Sequence, residues 1–492
     1  MKKIITTCLV LSLTWFLYGQ NIEFADVNFK RALIEKGVDS NKDGDISIEE
    51  AMQFTDLDIR RKQLSDLNGI EYFKNLTRLD CSFNQLSSLN LSENKALTEL
   101  ICDRNQLTNL SIQNNIALTD LRCTWNKLTN LDVSKNTSLE ILMCRGNQLT
   151  RLNASKNKKL RVLDCYSNQL ISLKLPNKCQ LRRLDCGKNQ LNKLTVPKNN
   201  SLTELECYNN QLKKLSVSQS VALIKLDCSD NQLTSIDLTD NASLELFLCS
   251  NNQLAAINLS KQIKLLHLNC SSNQLTSIDL SNCIQLGGFN CNNNEIISLD
   301  LSENPALETL ICKTNNLTKL NIAKNYLLEV LRCSENQLLI LDVTNNSKLR
   351  VLDCESNQIT SLDVSENSVL KTFIHDDNVV ITNKNKAIKD AESNSTCETH
   401  FLIVEKMPEY AGGIEAIKKY LHVDSSDTKG MVFVQFIINQ SGNVLNPKVL
   451  QGLTPSADKI AIDLVKSMSA WSPGEQSGIK VCVGVTYPVV FD

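Results

Sequence analysis

The chain has 492 residues, more than one ordinary core holds and enough for two or three domains. Its formal net charge is −2, from 52 basic and 54 acidic residues, so nothing steers it toward nucleic acid. Eight prolines exclude a long proline-rich spacer, and four histidines leave little for zinc chemistry.

The first residues read as an export signal. Lys2 and Lys3 precede the uncharged apolar run IITTCLVLSLTWFLYG. At about 15 residues this run is nearer a signal h-region than a membrane span, which needs about 20. Cleavage near Gly19 would remove residues 1–20. An uncleaved segment anchored in the inner membrane is the alternative.

Residues 21–54 read as a helical cap. DVNFKRALIEKG puts Phe29, Leu33 and Ile34 on one helical face, and ISIEEAMQF can open an outgoing helix. Between them DSNKDGDISIEE, residues 39–50, matches D-x-N-x-D-G-x5-E. Asp39, Asn41 and Asp43 offer side-chain oxygens and Asp45 its backbone carbonyl. Ser47 would act through water, Glu50 would be bidentate, and Gly44 permits the sharp turn. The stretch resembles an EF-hand calcium loop. That resemblance implies a structural Ca2+, since a switch uses a pair of such loops. An Asp-rich turn that simply caps a helix is the plain alternative.

From 55 to 381 the chain repeats itself. Fourteen cysteines, Cys81 to Cys354, recur every 21 residues without a slip. Aligned on them, the chain reads L-x-x-L-x-C-x-x-N-x-L-x-x-L-x-φ-x-x-N-x-x, with φ aliphatic. The period is that of a solenoid. Leu and Cys alternate with a variable residue, so they share one face of a short strand. Each coil buries that face against its neighbours, with Cys as a small apolar side chain. The Asn three residues after each Cys would satisfy turn backbone groups, and stacked copies would form a ladder. In-register parallel strands hold equivalent side chains about 4.8 Å apart and pointing the same way. A disulfide needs Cβ atoms about 3.8 Å apart and a particular torsion. A dry thiol ladder is therefore expected in place of a disulfide or metal array. No disulfide is expected elsewhere, although Cys397 and Cys482 could join if the linker folds back.

LxxLxCxxNxLxxL resembles the leucine-rich repeats, in the 21-residue form with a second LxxLDLSxN half common in bacterial surface and exported proteins. The resemblance implies an arc of parallel short strands and allows a second short sheet on its back. Both ends are degenerate, as capping coils should be. Ile59 stands in the cysteine position at the start, with Leu64 and Leu67 in phase. At the end Leu370, Phe373, Asn378 and Val380 keep register while His375 replaces Cys. The residues one and three before each Cys should face outward. Most are polar, as with Asp80, Arg122, Asp164, Asp185, Glu206 and Asp227. Ile141, Met143, Leu246 and Leu248 are apolar, and Phe83, Trp125, Tyr166 and Tyr208 follow their cysteines by one or two residues. These eight are the candidate face for a protein or glycan ligand.

Residues 382–400 are polar and read as a linker. Residues 401–492 then give a turn and helix (EKMPEYAGGIEAIKKYL), a strand hairpin (KGMVFVQFIINQSGNVLNPKVLQG), an amphipathic helix and a closing strand. PEYAGG, GMVFVQFIINQSG, VLQG, WSPG and YPVVF together resemble the TonB C-terminal domain. That resemblance implies β-augmentation, with Lys480 to Phe491 as the edge strand and an outer-membrane receptor or other envelope protein as partner. The whole is thus a β-rich leucine-rich-repeat solenoid with a helical N-terminal cap and a small α+β C-terminal domain. No phosphate-binding loop, nucleophile elbow or His-Glu zinc pair suggests an enzyme or a small-molecule substrate. Two functions follow: an exported, non-catalytic interaction protein, or a TonB-like energy transducer supporting transmembrane transport.

Overall fold

The computed structural model describes residues 19–382 except 199, and residues 404–491 except 405, 412, 424–427, 441, 469–470 and 477–478. The expected signal segment up to residue 18 and linker residues 383–400 lie outside the described residues.

Helix α1, Val27–Glu35, begins where Asp26 accepts hydrogen bonds from the Asn28 and Phe29 amides. It buries Phe29, Ala32 and Leu33. Ile34, expected on the same face, is exposed, because the buried stripe falls one position earlier. The other carboxylate oxygen of Asp26 accepts from the Ser65 amide and hydroxyl at 2.6 and 2.9 Å, which ties the helix start to the first coil. Helix α2, Ile48–Gln53, opens with a capping box between Ser47 and Glu50.

The solenoid strands are three residues long. Fourteen of them, from Asp56–Asp58 to Val330–Arg332, pair parallel and in register, each with the next. Leu79 stands opposite Leu100, and Leu205 opposite Leu226. The central Leu or Phe and the following Cys are buried throughout, and all fourteen repeat cysteines are free thiols. Burial and the neighbouring thiols push Cys207 well above its ordinary pKa, and burial pushes Cys270 up to about 12. The sheet on the back is fragmentary: Arg151–Asn153 pairs with Ser172–Lys174, and single bridges join Asn90 to Ser111 and Asp300 to Asn321.

Two asparagine columns hold the coils in step. In the front column Asn126 donates to the Cys102 carbonyl of the preceding coil and to its own Cys123 carbonyl, at 3.0 and 3.2 Å. Its side-chain oxygen accepts the Leu107 amide at 3.0 Å. The same pattern runs from Asn84 to Asn357. In the back column Asn136 donates to Ile112 and Asn115 carbonyls, both at 2.9 Å, while its own side-chain oxygen meets no donor. Lys178, Ser220, Gln262 and Cys283 stand at that position where Asn is missing. To reach the front Asn, the chain turns through a left-handed residue two after each Cys, with φ between 48 and 65° in all fourteen coils. At the far end Asp376 accepts the Ser356 and Asn357 amides.

By compactness the chain divides into two units, with the division falling among residues 347–380. The C-terminal unit contains helix α3, Gly413–Tyr420, and helix α4, Pro455–Lys466. Its four-stranded sheet runs His422–Val423, Val483–Phe491, Gly430–Ile438, Val444–Gln451. The core is Val432, Val434, Phe436 and Ile438 against Ala457, Ala461 and Val465, closed by Trp471. Tyr410, Phe436 and Tyr487 surround that indole with ring centroids 5.3–5.9 Å away. Cys482 is disulfide-bonded, which corrects the expectation of no disulfide; Cys397 lies outside the described residues.

Asn126→Ala leaves a buried amide and two buried carbonyls short of a partner, at about 1–3 kcal/mol each. Asn136→Ala also removes an oxygen that had no donor. The front substitution should therefore destabilise by about 3 kcal/mol or more and the back one by about half that, read from denaturant midpoints at equal slope.

Candidate functional site

Three places could meet a partner or ligand: the cap loop, the outward face of the solenoid and a strand edge in the C-terminal module. In the cap loop, Asp39 accepts the Asp43 and Gly44 amides at 3.2 and 3.0 Å, Asn41 accepts Asp43 at 2.8 Å, and Asp43 accepts Asp45 at 2.8 Å. Gly44 is left-handed, with φ +88°. Glu50 is buried: one oxygen accepts from the Ser40 amide, the Ser40 hydroxyl and the Asn41 amide, the other from the Ser47 amide and hydroxyl. Burial would raise its pKa, but these donors from Ser47, Ser40 and Asn41 hold it at about 2. Asp45 turns outward to Lys30 at 2.6 Å. Residues 20–22 close the loop from outside, since Ile22 donates to Ile46 at 2.8 Å and Ile48 to Gln20 at 3.2 Å. Residues 20–22 thus pair antiparallel with residues 46–48, with a bridge between Asn21 and Ser47. The donor set is all oxygen, which suits a hard cation. As the loop stands, its carboxylates take loop amides, and among the described residues no group of three or more His, Cys, Asp or Glu is gathered to hold a metal ion.

The solenoid face is more polar and less open than its outward spacing suggests. Asp80, Asp164, Asp185 and Asp353 lie on outward positions yet are buried under neighbouring side chains. Asp164, Asp185, Glu206 and Asp227 stack in register in four successive coils. Arg145 bridges Asp164 and Asp185 at 3.0 and 2.8 Å, and Lys225 meets Glu206 at 2.9 Å. Burial first, then Asp164 and Glu206, raise Asp185 to about 6 against the pull of the Gly187 amide and Arg145. Ile141 and Met143 pair across one coil step from Asp120 and Arg122, and are half-buried. Leu246 and Leu248 are likewise half-buried, eight strands away from Arg78–Asp80 in the order of the sheet. The eight candidates therefore do not form one patch. Phe83 and Trp125 are exposed, while Tyr166 and Tyr208 are half-buried with ring centroids 5.9 Å apart.

In the C-terminal module the expected edge strand is divided. Ile479–Val481 forms a hairpin with Gly474–Gln476, and Val483–Phe491 pairs along its whole length with Gly430–Ile438. On its other side only Val490 and Phe491 are matched, by His422 and Val423. Among the described residues the outer edge from Val483 to Val489 has no strand beside it.

Residues 423–492 match the family described as Gram-negative bacterial TonB protein C-terminal. Among solved structures, the functional domain of InlJ from Listeria monocytogenes, which includes a cysteine ladder, is 27% identical with TM-score 0.67, covering 96% of this chain and 99% of that one. A leucine-rich-repeat protein of Leptospira interrogans is 26% identical with TM-score 0.61, covering 72% and 97%. No curated protein matches the chain by sequence. The fold is thus a leucine-rich-repeat solenoid, a binding rather than a catalytic architecture, joined to a TonB C-terminal-type module. The reading of transmembrane transport is corrected: among the described residues no helix is long and apolar enough to cross a membrane.

Asp185 titrates above the unfolded value of about 3.9, so the native state binds a proton that the unfolded state has lost. Its contribution is whole below about pH 4 and is lost as pH rises through about 6. Solenoid stability should fall by roughly 1–3 kcal/mol across that window, and Asp185→Asn should flatten the slope in urea titrations.

Proposed function

We propose that the chain is an exported interaction protein of a Gram-negative cell envelope. The solenoid holds a protein or glycan ligand, calcium locks the N-terminal cap, and the C-terminal module docks an envelope protein such as an outer-membrane receptor. The open edge from Val483 to Val489 carries this reading, beside a nine-residue partner strand that fixes it from the other side. An extended segment laid there would complete the sheet through backbone hydrogen bonds. The family match supports a Gram-negative setting for the module. The apolar N-terminal run supports export, with periplasm or cell envelope as the destination.

Calcium would be held by Asp39, Asn41, Asp43, the Asp45 carbonyl and Glu50, with Ser47 acting through water. Its part is structural: the ion would gather oxygens that the loop amides now hold, and so fix α1 and α2 against the first coil. A ligand that binds only the native state adds RT ln(1 + [L]/Kd), about 2.7 kcal/mol at a hundredfold excess over Kd. Calcium should raise the first thermal transition, and Asp39→Ala should abolish the shift. Identical melting in calcium and in chelator would remove calcium from the account.

Amide exchange tests the docking edge. The full chain is mixed with outer-membrane extract, and the amides of Val483–Val489 should become protected while those of the solenoid sheet do not change. Unchanged exchange along that edge would remove the docking role. Mass spectrometry of the native protein should find a start near Gln20, whereas an intact Met1 would contradict export with cleavage.

A further inference from the structure

The back turn of the solenoid is lost at one coil. In a regular coil Asn157 donates its amide to the Ala154 carbonyl at 2.9 Å and accepts the Leu160 amide at 3.1 Å. Its side chain reaches back to the Val133 and Asn136 carbonyls at 2.9 and 2.8 Å. Where Ser220, Gln262 and Cys283 replace Asn, both backbone bonds of the turn remain, at 2.8–3.1 Å, and the replacing side chain is buried. Lys178 behaves otherwise. Among the described residues neither backbone bond is present there, and the lysine is exposed. A long cation cannot be buried in the column without a partner, so the turn gives way instead.

A cavity of about 530 Å3 opens beside this turn. Its charged lining is Lys158, Lys159, Arg161 and Lys178, with the single carboxylate of Glu140. Four cations against one carboxylate leave an excess of three positive charges. Arg161 is shared with Glu140 at 3.6 Å, whereas Lys158, Lys159 and Lys178 make no ion pair among the described residues. The cations gather where the turn is lost. Later coils put Val221, Ala222 and Ile224, or Ile284, Gln285 and Gly287, at the three positions that Lys158, Lys159 and Arg161 fill here. Like charges brought together around an open space repel one another, and an anion in that space would relieve the repulsion.

We propose that this cavity binds a small phosphomonoester, such as a phosphorylated sugar, held by its phosphate. It adds a ligand to those of the strand face and the docking edge, and it involves binding alone. The free cations decide between anions. They are three ammonium groups, compact point charges that match the dense charge of a phosphate, about −1.5 to −2 at pH 7. A planar carboxylate carries one charge and is best met by a guanidinium fork, and the one guanidinium here is already shared with Glu140. The volume decides between ester and free ion. Small-molecule sites span about 300–1,000 Å3, so this cavity has room for an organic body beside the phosphate.

Isothermal titration calorimetry of the full chain with glucose 6-phosphate tests the proposal. Saturable binding is expected, weakening as salt rises. Lys178→Asn removes a cation and supplies the missing column residue, which can donate to the Ala154 and Asn157 carbonyls as Asn157 does to the coil before. This variant should melt no lower than the parent and bind about tenfold or more weakly. Lys158→Gln should lose binding to the same degree, and it decides alone if Lys178→Asn melts lower. Lys264→Gln, at the coil position of Lys159 five coils further on, should bind as the parent does. The proposal is overturned by absence of saturable binding, by equal binding of glucose, or by cavity variants that bind as well as the parent. Equal or tighter binding of citrate would make this a carboxylate site, and equal binding of inorganic phosphate a site for the free ion; either result overturns it too.

Discussion

The structure depends on one hydrogen-bonding unit, an asparagine amide that reaches between coils. Three residues after each cysteine, Asn joins two cysteine carbonyls and a leucine amide, one of those carbonyls and that amide belonging to the coil before. This satisfies the backbone of a turn that would otherwise be buried unpaired. It also allows only one register: a slip by a single residue would put Leu and Cys outside and the amide out of reach. The strict 21-residue period follows, because an insertion in any coil would break two hydrogen-bonding layers at once. Cysteine suits the adjoining position by size. A thiol repeated about every 4.8 Å must pack against its own copies, and larger side chains would force the coils apart.

The same unit has a cost that the chain uses. Forming it requires a left-handed residue two after each cysteine. Most coils accept this with Asn, Ser, Asp or Gly. Phe83 and Trp125 do not, and the columns on either side hold them there. The rigid repeat thus supports strained, exposed rings that an isolated turn could not keep in place. Rigidity comes from the front asparagines, and the variable residues beside them are free to carry recognition.

The repeat, the front asparagine column, the buried thiols and the order of elements in the C-terminal module were legible in the residues, because each rests on a local period or alternation, whereas the back asparagine column appeared only with the coils stacked. What was not legible depended on neighbours. Asp185 occupies an outward position, yet its burial comes from Arg145, two coils away. Gly146 and Gly187 look like ordinary variation until the rings of adjacent coils are placed over them. The closure of the cap loop by residues 20–22 joins segments with no shared pattern. The division of the last strand at Cys482, with only Val483–Val489 left open, likewise depends on which strands lie beside it.

The central claim is in-register stacking on a column of reduced, buried thiols, and differential thiol labelling tests it most directly. A small alkylating reagent is applied to the native chain and to the chain in denaturant, without reductant, and the modified cysteines are mapped by mass spectrometry. Buried thiols in apolar surroundings carry little thiolate, so Cys81 to Cys354 of the repeat should be unmodified natively and all fourteen modified after unfolding. Several of them modified in the native state, or found joined as disulfides, would show that the coils are not stacked in register.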